Sequence, residues 1–248
     1  MKHILVASFL LLFSALYSQT IRDSSITFTM ISGSYSFQVP GGDLAKRFGN
    51  SSSIGPSFML KTKQNILFGA DFDFIFGGKI NQPGVFDSIL PSDGKFINKY
   101  GEYAKILITE RGFFLGAKVG KIIPLYKSNP NSGILVSLRA GLLQHKIRIE
   151  NEDNNTPQIL EDYKKGYDRL TNGFSLTEFI GYMYFSKSQV ANFYIGFEFY
   201  QAWTESRRSI DFATMKHDDT KRKDYLYTFK IGWVIPILKR QPKEYYFD

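Results

Sequence analysis

The chain has 248 residues, no cysteine, 31 Lys and Arg against 23 Asp and Glu, and a formal net charge of +8. Without cysteine it has no disulfide, thiolate metal site or cysteine nucleophile, and its positive charge is spread too evenly to make a nucleic-acid face. An aromatic share of 16%, nearly all Phe and Tyr, suits strands with a bulky apolar side.

At the N-terminus, Lys2 and His3 precede an apolar run from Ile4 to Tyr17 that closes on Ser18-Gln19. This is the layout of a cleaved secretory signal, and the run is shorter than the ~18 to 20 residues with which a helix crosses a bilayer. Removal after Ser18 is expected. That leaves residues 19–248 as one domain of net charge +7, because Lys2 is the only charged residue lost. No Cys stands at the junction, so a lipoprotein anchor is excluded. The remainder has no linker, fixed repeat or apolar stretch long enough for a membrane helix. A spanning structure would have to be a closed barrel, since only helices and barrels satisfy their backbone groups in lipid.

The period along the chain is two, which is that of strands. Strands are expected at 25–39, 53–62, 65–77, 110–124, 133–149, 174–186, 191–204 and 224–238. In the third, Ile66, Phe68, Ala70, Phe72, Phe74 and Phe76 oppose Leu67, Gly69, Asp71, Asp73 and Gly77. In the seventh, Phe193, Ile195, Phe197 and Phe199 oppose Tyr194, Gly196, Glu198 and Tyr200; in the eighth, Tyr225 to Ile237 oppose Thr228, Lys230 and Gly232. A half-buried soluble strand alternates in the same way. The very large apolar residues, the Tyr and Trp near strand ends and the Gly-plus-charge opposite face favour a lipid-facing exterior.

The links at 61–65, 126–133 and 186–192 are short, and those at 40–52, 78–109, 150–173 and 205–223 are longer. Strict alternation of this kind is that of periplasmic turns and extracellular loops. The chain therefore resembles the eight-stranded OmpA/OmpX-type outer-membrane barrels of Gram-negative bacteria over nearly all of residues 19–248. The resemblance implies an all-β, antiparallel, up-and-down transmembrane barrel with four loops, three turns and both ends in the periplasm. The last strand, closing on Gly232-Trp233, is similar to the aromatic-rich strand by which such proteins are recognised for insertion. A tail from Lys239 to Asp248, ending in Tyr245, Tyr246 and Phe247, departs from that pattern.

With the apolar face toward lipid, Asp71, Asp73, Lys118, Arg139, Glu198 and Lys230 point inward as one mid-height layer. Glu178 joins them if the sixth strand presents Phe179, Gly181, Met183 and Phe185 to lipid. The other register would put Glu178 among acyl chains at a cost of a few kcal/mol, so the first is expected. An eight-stranded barrel is only wide enough for side chains to fill it. A structural ion-pair core is the expectation, with a gated pore as the alternative.

Catalysis is not expected. His145, in Gln144-His145-Lys146, and His217, in the charged run Met215 to Asp219, read as rim or loop residues; Asp71 and Asp73 read as ion-pair members. No metal or other cofactor is implied. Gly41 to Gly49 reads as a turn and one helical turn with Asp43 as a possible cap, and 150–173 as a solvated loop. At the periplasmic rim, Lys61, Lys63, Lys127, Lys187, Lys239, Arg240 and Lys243 are opposed only by Glu244 and Asp248. Such a ring would attract anionic lipid head groups, each cation contributing roughly 1 kcal/mol before screening, or would dock a periplasmic partner. The expected partners are thus outer-membrane lipids and, by analogy with small accessory barrels, a protein of the envelope or of a secretion machine. A narrow channel and, last, a lipid-modifying enzyme are the other readings.

Overall fold

A computed structural model describes residues 24–90, 94–151, 155–160, 162–186 and 190–238. Eight antiparallel strands follow in chain order and close into a ring: β1 (Phe28–Gly41), β2 (Ser51–Lys61), β3 (Ile66–Gly77), β4 (Ile106–Pro124), β5 (Gly133–Asn151), β6 (Thr171–Tyr184), β7 (Phe193–Ser206) and β8 (Arg222–Ile237). Each matches an expected strand to within a few residues. β4 and β5 run on together as far as the pair Ile106 and Asn151, standing beyond their neighbours as a two-stranded ribbon. Helix α1 (Gly42–Ala45) follows β1, and a 3-10 turn (Pro157–Ile159) with helix α2 (Tyr163–Tyr167) lies between β5 and β6. The expected signal segment and the C-terminal tail lie outside the described residues.

The register fixes the barrel's geometry. Pairing from Phe28 runs through Lys61, Leu67, Gly120, Ser137, Phe179, Glu198 and Thr228, and returns to β1 at Gln38, ten residues beyond its start. Eight strands with that stagger tilt by ~40° and leave a lumen that side chains fill.

Polarity is inverted relative to a soluble barrel. Ile31, Phe37, Ile54, Phe58, Phe68, Phe74, Leu115, Leu138, Phe197 and Phe229 are exposed on the outside, while Asp71, Asp73, Arg139, Glu198 and Lys230 are buried inside. An apolar surface encircling all eight strands far exceeds what a water-soluble monomer exposes. No described helix is long and apolar enough to cross a membrane. The chain is an eight-stranded membrane-spanning β-barrel whose strands carry the spanning surface.

The sixth strand corrects one expectation. Paired residues share a face, and Phe179 pairs with Ser137 and Glu198, both of which point inward. Phe179, Met183 and Phe185 are therefore buried in the lumen, and Phe174, Leu176, Glu178 and Ile180 face outward. The physical reason lies in the packing: Phe179 meets Tyr194 edge-on at 5.8 Å and Phe185 meets Phe28 at 5.4 Å. Filling the lumen with three large side chains outweighs leaving one carboxyl outside, which is less costly than an outward Lys or Arg.

The lumen is filled in three tiers. At the turn end Phe28, Met30, Met59, Leu67, Ile122, Met183, Phe185, Tyr194 and Val234 form an apolar plug. Tyr194 fits because Gly232 lies beneath it, where a Cβ would meet the ring at 2.3 Å. The middle tier is ionic. At the loop end Leu44, Phe48, Ile75, Phe114, Leu143 and Leu226 pack with Val85, Phe86, Phe96, Ile159 and Tyr167, which arrive from the loops. Residues 155–160 and 162–170 are thus part of a cap and not a free loop. At mid-height along β1 and β2 the inward residues are small, Ser32, Ser36, Ser53 and Ser57. Long side chains from β3, β4, β5, β7 and β8 occupy the space they leave.

Candidate functional site

The middle tier brings together six of the seven lumenal residues expected. Arg139 of β5 is its centre: one terminal nitrogen lies 2.7 Å from Asp73 Oδ2 and 3.4 Å from Asp71 Oδ2, and the other lies 2.7 Å from Glu198 Oε1. Lys230 Nζ bridges Asp73 and Glu198 at 3.2 and 3.3 Å, and Lys118 Nζ reaches Asp71 at 2.9 Å. Asp71, Asp73 and Glu198 balance Lys118, Arg139 and Lys230, so the tier is neutral once Glu178 is outside it.

Two groups complete the tier that sequence reasoning did not assign to it. Tyr200 donates its hydroxyl to Asp73 Oδ2 at 2.9 Å and accepts from Arg139 at 2.5 Å. The guanidinium also lies 4.5 Å from the Phe114 ring centroid and 5.1 Å from that of Tyr200. An inward Tyr one strand turn from Glu198 was the available signal. Buried charges persist when they are paired and hydrogen-bonded in this way. Each carboxylate here is held by cations on at least one side. The arrangement can bind a barrel together.

A second polar cluster, unforeseen as a unit, sits at the loop end. Arg47, just after α1, donates to Asp224 Oδ1 at 2.6 Å, and Asp224 Oδ2 accepts from Thr204 at 2.5 Å and lies 3.1 Å from His145 Nε2. His145 is therefore buried inside the mouth rather than on the rim. Burial pulls the Arg47 guanidinium below its ordinary value, against the pull of Asp224. Gly42, at φ +60, lets the chain turn into α1, where a Cβ would meet Lys223 O at 2.4 Å. Asp43 is not a cap: its carboxylate pairs with Lys46 at 2.8 Å and accepts the Lys223 amide at 2.9 Å. His217 lies on the 207–221 loop, 3.0 Å from Asp219.

The basic rim is only partly as expected. Lys63 and Lys127 are exposed at the turn end, but Lys61 is buried. Its Nζ donates to Asn131 Oδ1 at 2.6 Å and Ile26 O at 3.2 Å, inside the turn-end mouth. Lys61 occupies an inward position of β2, so it ties the segment before β1 to the barrel and does not meet lipid. Lys187, Lys239, Arg240 and Lys243 lie outside the described residues.

No family model matches the chain, and no curated protein sequence does. Among solved structures it is similar to Ail, the attachment invasion locus protein of Yersinia pestis, at 13% identity and a TM-score of 0.42, covering 85% of this chain and 99% of that one. It is also similar to the outer membrane protein OprG of Pseudomonas aeruginosa, at 10% identity and a TM-score of 0.37, covering 88% of this chain and 99% of that one. Identity this low carries no role from either protein to this one.

Proposed function

We propose that this chain is an outer-membrane barrel of a Gram-negative envelope, exported with a signal peptide removed after Ser18, and that it acts as a closed scaffold or interaction protein. One observation carries the reading: apolar plugs stand at both ends of the lumen with a neutral tier of ion pairs between them. A pore would need all three to part. The protein's contacts with other molecules then belong to its outer surfaces, namely the loop-end cap built on Phe86, Phe96 and Tyr167, the lipid-facing wall, and the turn-end rim. Lys63 and Lys127 on that rim suit anionic lipid head groups or a periplasmic partner, and Lys187, Lys239, Arg240 and Lys243 extend the same charge in the sequence.

Planar-bilayer recording on the purified, refolded protein tests closure. The expected trace shows membrane insertion, read separately by protease protection in vesicles, with no steady conductance. Reproducible single-channel steps from the wild-type protein would replace this reading with a narrow channel.

A further inference from the structure

Glu178 is a carboxyl on the lipid-facing side of β6. Phe174 and Tyr182 lie four residues away in either direction on the same face, which at this tilt is ~10 Å of height each way, so Glu178 stands near mid-depth of the apolar belt. Its one hydrogen bond among the described residues is from Gln201 Nε2 at 3.4 Å. Ionisable groups facing hydrocarbon are costly and mark a site when they occur.

The surroundings of Glu178 are shaped. A groove of about 470 Å³ runs beside it, its apolar walls formed by Val136, Leu138, Ile180, Phe197, Phe199 and Tyr227. Within the same patch Ile180 and Phe197 project, 59% and 67% exposed, and no other apolar side chain of the strands is as exposed as Phe197. The walls that project farthest and the hollow between them thus lie on one face at one depth.

We propose that this face binds a second copy of the chain in a parallel dimer. A bilayer orients every copy alike, so a two-fold axis along the membrane normal brings each residue opposite its own counterpart at the same depth. Over β6 and β7 such an axis sets Glu178 against Glu178. Two neutral carboxyl groups are mutually complementary, each donating its hydroxyl to the other's carbonyl oxygen, which satisfies both in hydrocarbon without any cation. The same operation places each copy's Phe197 toward the other's groove. The proposal rests on the belt being lipid-facing and is separable from lumen closure.

The chain has no native cysteine, so single cysteines report the interface directly. Ile180→Cys, refolded in phospholipid vesicles at a low protein-to-lipid ratio, should form a disulfide dimer on mild oxidation. Phe58→Cys, on β2 at the opposite side of the ring, should not. Adding Glu178→Leu to Ile180→Cys should lower the dimer fraction at least tenfold, whereas Glu178→Gln, whose amide can also self-pair, should retain most of it. Folding is read in parallel from the heat-sensitive electrophoretic mobility of the inserted barrel. A folded Ile180→Cys protein that stays monomeric, equal cross-linking at Phe58→Cys, or a dimer indifferent to Glu178→Leu would overturn the proposal. So would cross-linking in cells solely to a different protein. A chain that fails to insert would overturn the membrane reading as well.

Discussion

Arg139 and Asp73 meet at 2.7 Å from strands β5 and β3, with β4 between them, and neither side chain reaches solvent. The contact exists because both positions are inward in a ring staggered by ten residues, which brings residues of distant sequence to one height. Arg139→Met would leave Asp73 with Lys230 and Tyr200, Glu198 with Lys230 alone, and the Phe114 ring without its cation. Breaking one member of such a buried network is expected to cost about 3–5 kcal/mol. Urea unfolding in vesicles should show it as a lower midpoint. Lys118→Met should cost less, because Arg139 still faces Asp71 at 3.4 Å. Neither variant should conduct, since both apolar plugs remain.

Much of this site was legible because Phe and Ile alternate with Asp, Lys and Glu along β3, β7 and β8, and a period of two assigns faces without knowledge of neighbours. The sixth strand was not legible for the same reason: Phe174, Leu176, Ile180 and Phe179, Met183, Phe185 put bulky residues on both faces. Only pairing with Ser137 and Glu198 settles which set is inside. Lys61 misled because a Lys beside a short turn is ordinarily solvated, and the acceptors that hold it come from residues 26 and 131. The Arg47, His145 and Asp224 cluster joins three segments far apart in sequence, so no local pattern announces it.

The register of β6 can be read chemically. With single cysteines placed at Glu178 and Phe179 in separate proteins, a lipid-soluble maleimide should label Glu178→Cys at least tenfold faster than Phe179→Cys. Phe179 contacts Tyr194 inside the turn-end plug, where the reagent does not reach. Faster labelling at 179 would mean that the strand is slipped by one residue, which exchanges its two faces.

The loop-end mouth is held shut by Arg47 on Asp224. Arg47→Met should cost about 2–4 kcal/mol, somewhat less than loss of Arg139, because Asp224 keeps Thr204 and His145 as partners. Trypsin cleavage after Lys46 should accelerate while the strands stay protected. Acid should act through Asp43, whose carboxyl the Lys46 ammonium and the Lys223 amide hold below the usual range. A depressed carboxylate contributes stability above its ordinary value of about 4 and loses it as pH falls through the lower folded value. The contribution of Asp43 to docking of α1, read as the difference between the wild type and Asp43→Asn, should therefore be unchanged from pH 8 to 5 and fall below about 4, by a small amount because the group is largely solvated.

Lys61 offers the sharpest balance of opposing terms. Its ammonium is buried and surrounded by neutral oxygens of Asn131, Ile26, Thr62 and Ser25, with the Phe28 ring centroid 5.4 Å away. Among the described residues no carboxylate approaches it. Lys61→Met removes a charge that burial disfavours, but it also strips Ile26 O of this donor and leaves Asn131 Oδ1 with the longer bond from the Ile26 amide at 3.4 Å. An unsatisfied buried acceptor costs about 1–3 kcal/mol, and the bond to Asn131 is weakened besides, so net destabilisation is expected. Amide exchange at residues 24–27 should speed up well before the strands do, because those residues are tied down by Lys61, Asn65 and Asn131. If Lys61→Met instead raises the unfolding midpoint, desolvation of the ammonium outweighs its hydrogen bonds, and Lys61 weakens the turn-end mouth that those bonds tie together.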